Sequence, residues 1–200
     1  MSADGSTTGS VPPPWVAQVL DFWFREVGEE SWFTASSHVD ERIRQRFLAL
    51  HEQIVESDAN GLTGPRSLLA GIVVLDQFSR NMFRGTPRAF AADPLARRLA
   101  EQVIGPGLDV IMTHAERYFV YLPFEHSENR GHQARAVRLI AQLGNESWTR
   151  HARAHRLMID RFGRFPHRNA ILGRTSRADE LHFLKEPDGR AYDPTGEKSR

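Results

Sequence analysis

Apolar positions recur along this chain at helical spacing, and no stretch alternates for long with strand composition. The clearest stripe is Val39, Ile43, Phe47, Leu50 and Ile54, preceded by Ser37 with Asp40 three residues on, a capping-box-like start. An earlier helix is expected from about Trp15 to Val27, entered through Pro12-Pro13-Pro14 and stopped at Gly28. Ser67 to Arg84 is apolar on nearly every side (Leu68, Leu69, Ile72, Val73, Val74, Leu75, Phe78, Met82, Phe83), which places it at the centre of the molecule. Asp93-Pro94 reads as a cap followed by a first-turn proline, opening a helix to about Ile104. A segment from about Asp109 to Leu122 is expected to break at Pro123, with a helix resuming through Glu125 to Leu143. The next runs from about Glu146 to Phe162, and Ser176 with Asp179 and Glu180 caps a last short helix ending near Leu184. The expected class is all-α, and the short connections favour antiparallel neighbours.

Residues 1–11 read as a disordered leader, 12–185 as one helical domain and 186–200 as a disordered polar tail. A chain of 200 residues with 40% hydrophobic content can bury a large core. Its net charge of +1 gives no long-range field for nucleic acid or an anionic membrane, so neither is expected as a partner. No apolar run reaches the roughly 18 residues a membrane span needs, and the N-terminus lacks the basic and apolar regions of a secretory signal. The absence of cysteine excludes disulfides, thiolate catalysis and Cys-ligated zinc, and it fits a cytoplasmic setting. No organic cofactor is expected, because the chain has neither a Gly-rich phosphate loop nor a strand to carry one.

Against this apolar pattern stand three polar clusters. Charged groups inside hydrophobic helices are costly unless paired, so each cluster marks either an ion network or a site. In the first, Asp76 and Arg80 are spaced for an intrahelical pair, with Gln77 and Asn81 repeating the spacing and Arg84 one turn further on. Either this pair is a structural latch, or Asp76 orients Arg80 so that the guanidinium fork holds a carboxylate or phosphate. In the second, Glu125-His126-Ser127-Glu128 follows Pro123, which would place Glu125 in a first helical turn where the dipole favours a carboxylate. Carboxylate and imidazole could ligate zinc or iron, but the spacing matches neither His-Glu-x-x-His nor Glu-x-x-His, so no metal is expected. In the third, Arg161, Arg164, Arg168 and Arg174 surround Phe162, Phe165, Pro166 and His167. His167, Arg168 and Asn169 would then sit at a helix start, where cations oppose the dipole unless an anion or an acid from another cluster joins them. Basic residues among aromatics also suit single-stranded nucleic acid, a reading the near-neutral charge opposes. His155 lies on the apolar stripe of its helix and reads as a hydrogen-bonded core histidine.

These clusters, with Leu20-Asp21-Phe22-Trp23-Phe24 and Trp32-Phe33, resemble the bacterial domain-of-unknown-function family 924 from about Val19 to Leu184. The signatures stand as Leu75-Asp76-Gln77-Phe78-Ser79-Arg80-Asn81-Met82-Phe83-Arg84-Gly85, as Tyr121-Leu122-Pro123-Phe124-Glu125-His126-Ser127-Glu128, and as Arg161-Phe162-Gly163-Arg164-Phe165-Pro166-His167-Arg168-Asn169 continuing to Arg174. The chain departs from the family pattern at Ser79, at Asn129-Arg130-Gly131 and at Arg177-Ala178, none of them in the charged core of a cluster. The resemblance implies antiparallel helix pairs in a tetratricopeptide-like superhelical bundle, although the Trp/Leu-Gly/Tyr pattern of standard repeats is absent. It brings no assigned catalytic residue.

Together these readings lead to an expected internal polar pocket for a small anionic molecule. Its ligand-binding candidates are Asp76, Arg80, Asn81, Arg84, Arg164, His167, Arg168 and Asn169, with His126 or a buried Glu125 as general acid/base. The rival expectation is a scaffold that binds a peptide or partner protein through exposed aromatics such as Trp15, Trp32 or Phe33, with the charges purely structural.

Overall fold

The computed structural model describes residues 12–186, and every regular element in that range is helical. The leader expected over residues 1–11 and all of the expected tail beyond Glu186 lie outside the described residues. Helix α1 (Pro14–Asp21) runs directly into a π-helical turn (Phe22–Val27) and stops at Gly28, whose φ of 72° favours a residue without Cβ. In that wide turn the Trp23 carbonyl accepts from Gly28 N five residues on and also from the Trp32 indole at 2.9 Å.

Helix α2 (Ser37–Glu56) begins one residue earlier than its sequence signal, because Ser36 rather than Ser37 accepts from Val39 N. Asp40 makes no cap either. Its carboxylate reaches forward to Arg84 at 2.8 and 2.9 Å and to Asn81 at 2.7 Å. Helix α3 (Gly64–Ile72) passes through a second π turn (Val73–Phe78) into α4 (Ser79–Met82). Leu69, Ile72, Val73, Val74, Leu75 and Phe78 along it are fully buried, as the all-round apolar pattern requires. Phe22, Trp23, Phe47, Phe78 and Phe119 meet around it edge-on or tilted, with centroids 4.9–5.8 Å apart.

The short α5 (Arg88–Ala91) leads into α6 (Asp93–Ile104), which packs on α3. A 3-10 turn (Leu108–Ile111) precedes α7 (His114–Glu125), which is opened by a full capping box of Thr113 and Glu116. Helices α8 (Arg130–Ala141) and α9 (Glu146–Phe162) are capped by Asn129 and Asn145. The consecutive packed pairs α7–α8 and α8–α9 are joined by four residues each, so they run antiparallel. A 3-10 turn (Pro166–Arg168) and α10 (Ala178–Phe183) complete the chain. Ser176 does not cap α10 but accepts from Asn169 Nδ2 at 3.1 Å.

The helix expected over Ser67 to Arg84 starts at Gly64 and ends at Met82, and the break expected at Pro123 is corrected as well. Pro123 does not break the chain; it is buried within α7, and the helix ends two residues later at Glu125. Gln133, fully buried on α8, donates to the carbonyls of Glu125 and Ser127 at 2.5 and 2.7 Å and so holds the real turn at 126–129. No helix among the described residues is long and apolar enough to cross a membrane.

Candidate functional site

The π turn in the central helix brings the first cluster to the protein interior. Asp76 is fully buried, and its Oδ2 accepts from Gln77 at 2.5 Å while Oδ1 meets His126 Nδ1 at 2.9 Å. Arg80 lies 3.2 Å from the same Oδ1 and donates to the Asp76 carbonyl at 2.6 Å. Its fork, however, is bidentate on Asp93 at 3.0 and 3.1 Å. Asp93 therefore makes no side-chain cap of α6, contrary to the Asp-Pro signal, and is 6% exposed as the second carboxylate of the cluster.

The third cluster closes on the first from the other side. Arg168 is buried with its guanidinium carbon 4.5 Å from the Phe90 ring centre and 4.4 Å from that of Phe165. Its Nη1 donates to the His126 carbonyl at 3.0 Å, a C-terminal carbonyl of α7 where a cation suits the dipole, and lies 3.6 Å from Asp93. Its Nε has no hydrogen-bond partner among the described residues.

Between these groups opens a cavity of about 210 Å³, lined by Arg80, Arg84, Gly85, Ala89, Phe90, His126, His155, His167, Arg168 and Ile171. Sequence reasoning named Arg80, Arg84, His126, His167 and Arg168 on this wall. It missed Phe90 and gave His155 a purely structural place. The signal for His155 was a polar residue on the buried stripe of α9. Its partner is Glu125, whose Oε1 lies 2.8 Å from Nδ1. Because α7 ends at Glu125, this carboxylate sits at the negative end of the helix and not, as expected, in a favourable first turn. Its other oxygen, Oε2, is buried without a hydrogen-bond partner.

The remaining candidates lie off the cavity wall. Asn81 donates to Asp40, which also holds Arg84 at the rim. Arg164 is bidentate on the fully buried Glu180 at 2.7 and 2.8 Å. Asn169 bridges Glu180 at 3.2 Å and Arg174 at 3.0 Å. Arg174 in turn is bidentate on Glu128 at 2.7 and 2.9 Å. These residues form a latch that ties the C-terminal segment to the turn after α7.

Electrostatics divides the cavity groups into fixed charges and neutral rings. Burial pushes the Asp76 carboxyl up, but Arg80 and His126 outweigh it and hold the group well below the usual carboxylate range. Burial, aided by Arg80, pushes His126 below its ordinary 6.5 despite Asp76, and burial together with Arg168 pushes His167 well below the same value. Arg168 is brought down to about 10, chiefly by burial, with Asp93 opposing and Arg80 adding to the effect. Since ionised Asp76 can only accept, neutral His126 donates its Nδ1–H to it and Nε2 carries the lone pair. Among the described residues no three His, Asp or Glu side chains are grouped to hold a metal ion.

The comparisons with known proteins bear on family and fold. No curated protein matches the chain. A solved structure, that of the protein of unknown function ATU0120 from Agrobacterium tumefaciens, matches with a TM-score of 0.81 at 40% identity. That match covers 86% of this chain and 97% of the other. The family model described as bacterial protein of unknown function (DUF924) matches residues 19–188, a span that contains the cavity, both carboxylate–histidine pairs and the latch, and the chain belongs to that family.

Proposed function

We propose that the cavity binds a small carboxylate or phosphate through Arg168, with the Asp76–His126 pair exchanging a proton with it. The observation that carries this reading is Arg168 itself. It is a buried cation on the cavity wall whose Nε has no hydrogen-bond partner among the described residues, and burial pulls its pKa down to about 10 despite the acids beside it. Arg80 is the clasp of the arrangement: by engaging both Asp93 and Asp76 it fixes the cation count and orients the acid that orients His126. At neutral pH His126 is a neutral base with its proton held on Nδ1 by Asp76, the state needed to accept a proton at Nε2 from a bound acid or water. Glu125 acts through His155 in this reading, not as a free acid. A cytoplasmic setting, in keeping with the cysteine-free composition, goes with it.

The scaffold reading, with a tetratricopeptide-like concave face, has less behind it. Of the three aromatics it relies on, Trp32 is buried and Trp15 packs against the core, leaving only Phe33 exposed.

Isothermal titration with inorganic phosphate and with acetate tests the anion site. Binding is expected in the wild type and lost in Arg168→Gln, whose fold should survive because Asp93 keeps both bonds from Arg80. Circular dichroism checks the fold. No binding of either anion to the wild type, or unchanged affinity in a folded Arg168→Gln, overturns the reading.

A further inference from the structure

A second cavity, of about 440 Å³, shares two of its lining residues with the first. His126 and His155 line both spaces, and their ring centres are 6.2 Å apart, so the two cavities adjoin at these imidazoles. The chemistry of the second space is different. Phe33, Tyr118, Leu122 and Trp148 contribute to its wall. Tyr118 and Trp148 stack in parallel at 4.3 Å, and Phe33 is 59% exposed while stacked on Phe119 at 6.3 Å. An exposed phenyl ring held in place by a neighbour at the mouth of a cavity offers a rigid planar face at little entropic cost. Glu125 also lines this space, 2% exposed, and its Oε2 is a buried acceptor that no donor among the described residues reaches.

We infer that the two cavities form one bipartite site for an aryl-substituted carboxylate or phosphate, the anionic group at Arg168 and the ring against Phe33 and Trp148. The imidazoles of His126 and His155 then flank the junction of head and ring, so proton exchange is directed at the atoms next to the anionic group. This inference rests on the anion-binding reading above and adds the body of the ligand to it.

The test compares phenyl phosphate with inorganic phosphate by calorimetry, on the wild type and on Phe33→Ala. Phe33 is exposed enough for its removal to leave the fold intact. Phenyl phosphate should bind about tenfold tighter than inorganic phosphate, the scale of one stacked ring. Phe33→Ala should erase most of that gain while leaving inorganic phosphate unchanged. Equal affinity of the two ligands for the wild type, or a gain that survives in Phe33→Ala, overturns the bipartite site and leaves the anion site standing. Failure of both ligands to bind overturns the anion site and this inference with it.

Discussion

In the C-terminal latch, Glu180 accepts from Arg164 at 2.7 and 2.8 Å, from Arg177 N at 2.7 Å and from Asn169 at 3.2 Å, and Glu128 takes both ends of Arg174 and Phe165 N. At the cavity, Asp93 and Asp76 are met just as closely by Arg80, Gln77 and His126, yet Arg168 Nε and Glu125 Oε2 are left over. The two regions are built from the same side-chain types, and a sequence lists them alike. What separates them is the balance of donors and acceptors. Where every lone pair is filled, as on Glu180, the cluster closes a segment of chain. Where a donor and an acceptor remain on residues that line adjoining cavities, Arg168 in one and Glu125 in the other, the cluster can take a ligand.

The largest effect should come from the residue that belongs to the cavity but behaves like the latch. Arg80→Met removes the bidentate guanidinium on Asp93 and the cation 3.2 Å from Asp76. Leaving buried carboxylates without their partner should cost about 3–5 kcal/mol in urea unfolding. A loss under about 1 kcal/mol would mean that Arg168 at 3.6 Å suffices for Asp93, and the division of labour between the two arginines would fall. Glu180→Gln comes next. It should lower the urea midpoint by freeing Arg164, Arg177 and Asn169, while phosphate affinity of the folded protein stays at the wild-type value. A parallel loss of phosphate affinity would show that the latch sets the position of Arg168 and that the two regions are one unit.

Much of this was legible in the chain, and the parts that were not have a common cause. The all-helical class, the central place of Ser67 to Arg84 and the helix over Glu146 to Phe162 follow from period and burial, which are local. The identity of ion partners is not local. Asp40 and Asp93 both carried sequence marks of helix starts, and both reach instead for arginines 44 and 13 residues away, Arg84 in the turn after the central helix and Arg80 on it. Local signals could not show that competition, because an aspartate at a helix start suits a cap and an ion pair equally. Pro123 misled for a related reason: inside a buried helix the cost of its missing N–H is borne by packing, and the break fell where Gln133 could satisfy the carbonyls of the turn. Moving that break turned Glu125 from a well-placed first-turn acid into a helix-end carboxylate that needs His155.

The comparison can be sharpened most finely with pH, because the two regions titrate in separate windows. The latch acids are held low: Glu180 at about 2, chiefly by its hydrogen bonds from Arg164, and Glu128 below its ordinary 4.5, where bonds from Arg174 and Phe165 N overcome the upward push of burial. They stay ionised down to pH 5. His126 and His167 at the cavity, and His51 (at about 4) beside Ser79, are instead pushed below 6.5 by burial first, with nearby arginines adding. Below 6.5 the unfolded chain takes up protons that the folded protein refuses, so the stability these rings contribute is complete above 6.5 and is lost as pH falls toward their folded values. Each ring can add a slope of at most about 1.4 kcal/mol per pH unit in that window. Urea midpoints at pH 7.5, 6.0 and 5.0 should therefore decline. His126→Gln, which keeps a donor for Asp76 but cannot titrate, should make the decline shallower. A midpoint that rises on acidification would mean that Asp76 draws a proton onto His126 in the folded state. The cavity would then hold an ion pair as complete as those of the latch, and the distinction between the two regions would be lost.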